Sequence, residues 1–337
     1  MEGGKQHLIM PQALSQLPIR ILRRIYQGAG LSRERIYRNV PMDPVVPPVE
    51  GNDLIAASIR KGKPCMISRF GTPESLAILN YLDIQETQSP SGLMRCHAFL
   101  QGRWDKWAEK IKGLLFNNVG FFPTTDENLD RFAQYYMTQI GPVDMIGVWT
   151  IVPGESYLIK RYCPEALRFD PSALEPYFYA NPWSMALEGR KVLVIHPFAA
   201  SIEAQYRRRK LLFRDPRVLP DFHLTTVRAV QSLAGSGTPF KDWFEALAWM
   251  QDEVKKVDFD VAIIGAGAYG LPLSAFVKSL GKVSIHMGGA TQVLFGIRGK
   301  RWDNMKEFSN IINEHWVRPA PSEMIPSANK IEDGCYW

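Results

Sequence analysis

The sequence predicts an α/β fold: a mostly parallel, Rossmann-like sheet with helices on both faces. Three observations carry this. Short runs rich in β-branched apolar residues recur along the chain, and each breaks into a glycine-rich or polar turn before helical periodicity resumes. The stretch after Phe259 places Gly265, Gly267 and Gly270 in a G-x-G-x-x-G spacing between such a run and a helical pattern. With 337 residues, 46% of them hydrophobic and 22% charged, the chain is long and apolar enough to bury one large core or two modest ones.

From Pro18 to Tyr26 the pattern is a short basic amphipathic helix, with Ile21, Leu22 and Ile25 on one side and Arg20, Arg23 and Arg24 around the other. Such a helix suits either an anionic membrane surface or its own domain. Met42 to Val49, with its three prolines, reads as an extended linker. The division that follows is residues 1–50 as basic helix and linker, 51–310 as the α/β domain, and 311–337 as a C-terminal tail.

Within the domain, Asp53 to Arg60 has helical spacing, and Pro64 to Ser68 is a short strand ending in Arg69-Phe70-Gly71-Thr72-Pro73-Glu74. Ser75 to Leu82 returns to helical periodicity. Lys191 to Ile195 is a second strand, followed by His196-Pro197-Phe198 and a helix carrying Ser201, Gln205 and the basic run Arg207 to Lys210. Phe240 to Lys255 is a further helix. Asp260 to Ile264 is the strand before the glycine turn, Leu271 to Leu280 the helix after it, and Val283 to His286 the next strand.

Net charge of +6 and a pI near 9.0 suit phosphate-bearing ligands or anionic lipid, while the lack of a long Lys/Arg run argues against nucleic acid. The four cysteines, Cys65, Cys96, Cys163 and Cys335, lie far apart without a C-x-x-C pair, so the sequence points to reduced thiols in a cytoplasm and to neither zinc nor a disulfide framework. No secretory signal or membrane-spanning run is legible.

In parallel sheets, ligands bind beyond the carboxyl ends of the strands. Convergence of the polar strand ends would assemble Arg69, Glu74, His196, His286 and the glycine cradle Gly265, Gly267 and Gly270 into one site for an anionic substrate. Glu74 could serve as general base or metal ligand, or be an acid favoured in the first turn of a helix. Arg69 could fork onto phosphate or pair with Glu74. His196 and His286 could contact substrate or satisfy structural hydrogen bonds. Arg298 and Arg301, interleaved with glycines, could clamp a diphosphate, with Trp302 anchoring their loop. A dinucleotide site would also need an acid near the end of the following strand, where His286 stands instead.

On Ser68 to Glu74 and on Asp260 to Gly289, the chain resembles the GT-D-fold glycosyltransferases, which open with a strand and an RFGDGE motif and close with a strand, a small-residue turn, a helix and a last strand ending near Ile-Gly. The resemblance spans about Asp53 to Asp303. It implies a nucleotide-sugar donor, a cell-surface glycan or lipid-linked acceptor, and a cytoplasmic protein at work near the inner face of the membrane. Thr72 stands where the family has aspartate, so of the Asp-x-Glu pair only Glu74 carries over, and a divalent ion such as Mn²⁺ or Mg²⁺ would be weakly held. Two rival readings are a NAD(P)-dependent oxidoreductase and a nucleotide-binding partner without chemistry.

Overall fold

The computed structural model describes residues 16–33, 37, 40, 43–149, 152, 154–325 and 335–337. Seven strands form one all-parallel sheet: β1 (Cys65–Arg69), β2 (Met145–Gly147), β3 (Leu167–Phe169), β4 (Lys191–His196), β5 (His223–Arg228), β6 (Val261–Ile264) and β7 (Val283–His286). Their order is β3-β2-β1-β7-β6-β4-β5. The first ten α-helices, in chain order, are α1 (Gln16–Gly28), α2 (Pro48–Lys61), α3 (Thr72–Thr87), α4 (Gly92–Gln101), α5 (Glu109–Val119), α6 (Asp126–Ile140), α7 (Glu155–Tyr162), α8 (Ala199–Arg207), α9 (Trp243–Lys255) and α10 (Gly270–Ser279), among the described residues.

Successive side chains on a strand point to opposite faces, and this alternation sorts the core into two layers. Met66, Ile146, Leu193, Ile195, Ala262 and Ile264 pack with α3, α6, α9 and α10. Ile67, Met145, Val192, Val194, Val261, Ile263, Val283 and Ile285 pack on the other face with α2 and α8. A sheet covered on both sides explains why its strands read as continuous apolar runs.

The linker expected over Met42 to Val49 is partly structural. Val46 forms a parallel bridge with Phe169, extending the sheet edge, and α2 already begins at Pro48. Proline is well placed at that first helical position because its missing N–H would have no intrahelical partner anyway. The stretch beyond residue 310, read as a tail, contributes Trp316, Ile325 and Trp337 to the α2/α8 core layer. Trp302 is buried in the same layer and anchors the short helix Lys300–Asp303 to the core.

Topology creates the crevice. The connection leaving β4 runs through α8 to β5, and the one leaving neighbouring β6 runs through α10 to β7 on the other side. Because α8 and α10 lie on opposite faces, the chain diverges above β4 and β6 and leaves a gap at their carboxyl ends. The glycine turn beside this gap is braced from below. Tyr269 stacks on the fully buried Trp243 with ring centroids 5.0 Å apart, and its hydroxyl shares a 3.1 Å hydrogen bond with Ser232 Oγ.

Candidate functional site

A cavity of about 450 Å³ opens at the carboxyl ends of β1, β4, β6 and β7, a size that suits a small-molecule ligand. β1 and its turn supply Arg69 and Glu74, β4 supplies His196, β6 supplies Gly265 and Gly267, and β7 supplies His286. Arg301 reaches the cavity from the short helix Lys300–Asp303, where the sequence suggested a basic loop. Seven of the residues singled out in the sequence therefore meet in one place.

Glu74 sits in the first turn of α3 and is almost entirely buried, with Oε2 lacking a hydrogen-bond partner among the described residues. Burial raises its pKa, opposed by a hydrogen bond from its own backbone N–H and by the positive charge of Arg69. Gly71 makes room for this carboxyl group, since a Cβ there would lie 2.7 Å from Glu74 Cδ. Among the described residues no ion pair joins Arg69 to Glu74. The Arg69 guanidinium lies 5.2 Å from the Trp149 ring centre, and its Nε is buried without a hydrogen-bond partner among the described residues. An orphaned carboxylate oxygen and an orphaned guanidinium N–H beside one cavity are polar capacity that a bound ligand can satisfy.

Both histidines are neutral hydrogen-bonding groups. Burial pushes the pKa of each down to about 3, with the Arg69 charge adding to the effect at His286. His196 Nδ1 accepts from the Phe198 N–H at 3.0 Å, which leaves Nε2 to carry the ring proton. His286 Nδ1 shares a 3.0 Å hydrogen bond with Ser68 Oγ. Neither ring is suited to take up a proton near pH 7.

The three glycines of the turn divide in purpose. Gly265 lines the cavity, and it also lets the β7 loop close in: a Cβ would lie 2.7 Å from His196 Cδ2 and 2.8 Å from Thr291 Oγ1. Gly267 has φ +52°, a left-handed conformation that strains side-chain-bearing residues. Gly270 does not line the cavity. It is helical, and its missing side chain accommodates the His286 ring, so the expected phosphate contact at this position gives way to a packing role. Arg298 likewise lies away from the cavity, its Nε 3.0 Å from Asp303 Oδ1, and Asp303 also binds Arg318. In the Arg207 to Lys210 run, Arg209 pairs with Asp221 at 2.7 Å and Arg208 contacts His315. These arginines are surface structure.

Several contributors were not legible in the sequence. Trp149 follows β2, and Gln292, Tyr336 and Trp337 come from the last quarter of the chain. Arg301 stands 4.9 Å from the Tyr336 ring centre. Gly288, with φ +65°, holds the β7 turn against Arg69 Nη1, where any Cβ would overlap; its only sequence mark was the Gly-Gly step after His286. The N-terminus of α8, a natural place for an anion, is already occupied by Glu323, whose Oε1 accepts from Ala200 N–H at 2.8 Å and Ser201 N–H at 3.2 Å.

The donor set does not fit a divalent metal held by the protein alone. Glu74 is one carboxylate, burial favours its protonated form, and the described residues contain no group of three His, Cys, Asp or Glu placed to hold an ion. Two guanidinium groups, those of Arg69 and Arg301, line the cavity beside a carboxyl group that burial makes harder to ionise. Such a lining offers an anion two guanidinium groups and a carboxyl group whose neutral form burial favours. Comparison with protein-family models, curated proteins and solved structures finds no match to this chain.

Proposed function

We propose that this chain is a glycosyltransferase that moves a sugar from a nucleotide diphosphate donor to a cell-surface glycan precursor. The reading rests on one observation: the glycine turn, two arginines and a buried, unpartnered glutamate face a single cavity at the diverging ends of β4 and β6. The resemblance at Ser68 to Glu74 and Asp260 to Gly289 supports it.

In this reading Arg69 and Arg301 bind the diphosphate beside the Gly265–Gly267 backbone, and Trp149 offers a flat face to the donor. The acceptor hydroxyl loses its proton to Glu74 Oε2 as its oxygen bonds to the anomeric carbon. The bond from that carbon to the diphosphate breaks, and its electron pair leaves with the phosphate oxygen, whose charge the arginines neutralise. A raised pKa strengthens Glu74 as a base, provided that it is ionised when the acceptor docks. His196 and His286, neutral, orient the substrate by hydrogen bonds. A divalent ion would enter bound to the donor's phosphates.

Calorimetry with UDP, GDP, CDP, NAD and NADP, each with and without Mn²⁺, tests the ligand class. Binding of one nucleoside diphosphate well above both nicotinamide dinucleotides is the expected result. Preference for NAD or NADP would replace the proposal with a redox function, and tight Mn²⁺ uptake without nucleotide would contradict the proposed route of metal entry.

A further inference from the structure

Away from the cavity, α1 and α4 pack together and present an apolar surface to solvent. Ile21, Leu22 and Ile25 of α1 are exposed, Ile25 by 58%, and so are Leu93, Met94 and Phe99 of α4, Leu93 by 85%. α4 buries only Ala98 and Gln101. Scattered exposed apolar residues need no explanation, whereas six on two touching helices mark an interaction surface.

The surrounding charge selects the partner. Neither helix contains an acidic residue, while α1 carries Arg20, Arg23 and Arg24 and α4 carries Arg95. Arg23 lies over the Phe99 ring at 4.1 Å and donates from Nε to the Phe99 carbonyl at 3.0 Å, fixing one helix to the other. At their junction a second cavity of about 310 Å³ is lined by Arg23, Arg95, Arg103, Thr87, Phe99 and Asp105. The nearby acids Asp83 and Glu86 are already paired, Asp83 with Arg33 and Arg103, Glu86 with Arg103. Asp105 is the remaining acid at the cavity, against the cations of Arg23 and Arg95.

We infer that the α1/α4 surface docks on an anionic phospholipid bilayer, with Ile25 and Leu93 entering the interface and Arg23, Arg24 and Arg95 meeting lipid phosphates. An amphipathic helix that combines an apolar stripe with arginines binds membranes in this manner, and an aqueous acidic protein would leave the apolar residues unexplained. Among the described residues no helix is long and apolar enough to cross a membrane, so docking is peripheral. The surface is tied to the cavity by α3, which carries Glu74 in its first turn and Asp83, the partner of Arg33 and Arg103, about 14 Å further along its axis. This inference does not depend on the reaction assigned to the cavity.

Co-sedimentation of the full chain with vesicles tests it. Vesicles of phosphatidylcholine containing one quarter phosphatidylglycerol should carry the protein down at low ionic strength, pure phosphatidylcholine should not, and high salt should weaken the association. Arg24→Glu with Arg95→Glu should lower partition by at least about twenty-fivefold, since each arginine removed costs about fivefold. Ile25→Asp with Leu93→Asp should lower it by at least about tenfold. Both variants should stay folded with wild-type nucleotide affinity, because these side chains are exposed and lie outside the first cavity, although Arg95→Glu gives up hydrogen bonds from Arg95 Nη1 to the Ser89 and Pro90 carbonyls at 2.8 and 3.2 Å and should lower the melting temperature slightly. Failure to sediment with anionic vesicles, or unchanged partition in folded variants, overturns the inference. A wild-type dimer that Ile25→Asp with Leu93→Asp makes monomeric, without vesicle binding, would assign the surface to a second copy of the chain instead.

Discussion

Gly270→Ala separates two purposes that the glycine turn could serve. At φ −58° and ψ −54° the residue is already helical, so alanine fits the backbone and would ordinarily gain about 0.5–1 kcal/mol. The obstacle is His286, because the new Cβ would lie 2.6 Å from its Cδ2, about 1 Å inside a comfortable carbon–carbon contact. The ring is confined by burial and by its hydrogen bond to Ser68. Overpacking of this kind costs about 1–3 kcal/mol, leaving a net loss of up to about 2.5 kcal/mol. His286→Ala alone should cost about 2–4 kcal/mol through its cavity and the lost hydrogen bond. In the double variant the added methyl occupies part of the vacated space, so the two losses should fall short of their sum by about 1–3 kcal/mol. Urea unfolding at neutral pH with unchanged m-values measures all three. Additivity within about 0.5 kcal/mol would refute the packing role, and reduced nucleotide affinity without loss of stability would return Gly270 to the phosphate cradle.

Two further outcomes are specific. The pKa values of His196 and His286 are lowered to about 3, so the unfolded chain binds protons that the folded one refuses, and stability is lost as pH falls from 6.5 toward 3. At pH 5 the loss should be about 2 kcal/mol per histidine; replacing both with glutamine should flatten that limb of the unfolding profile, and a profile unchanged by the replacement would place the rings in water. Arg69→Gln should weaken diphosphate binding by about tenfold to a hundredfold while Arg298→Gln changes it less than about threefold; equal losses in calorimetry would mean that the Arg298–Asp303 pair opens to reach the ligand.

The strands that sequence reading found, β1, β4, β6 and β7, are those whose ends build the cavity. They are central and covered on both faces, so Val192 to Ile195 and Val261 to Ile264 read as unbroken apolar runs. β2 and β3 escape because three residues each, Met145–Gly147 and Leu167–Phe169, show no period. β5, at the sheet edge, carries the polar alternation His223-Leu224-Thr225-Thr226 without a flanking glycine turn.

Within the site, residues at strand ends were legible, since a parallel sheet brings those ends together by construction. Trp149, Tyr336 and Trp337 were not, because their positions depend on how distant segments fold back over the sheet. Gly270 and Arg298 matched a local motif and were overridden by tertiary neighbours, an imidazole in one case and a carboxylate in the other. The spacing G-x-G-x-x-G does not distinguish a glycine that admits a ligand from one that admits a side chain.

The central claim is that Glu74 acts in chemistry at an anion-binding cavity, and Glu74→Gln tests it most directly. Burial raises the carboxyl pKa, so folding disfavours the ionised form and stability contributed by the neutral group is lost as pH rises above the unfolded value of 4.5. Glutamine keeps the shape without that ionisation, and the variant should melt no lower than the wild type at neutral pH. The measurement is the rate of sugar transfer, read as nucleoside diphosphate release with the donor whose nucleotide binds, for wild type and variant at equal folded concentration. Turnover reduced by about a hundredfold or more with donor affinity preserved is the predicted result. Transfer that persists in proportion to folded protein, or a variant that melts several degrees lower, would make Glu74 structural and contradict the account.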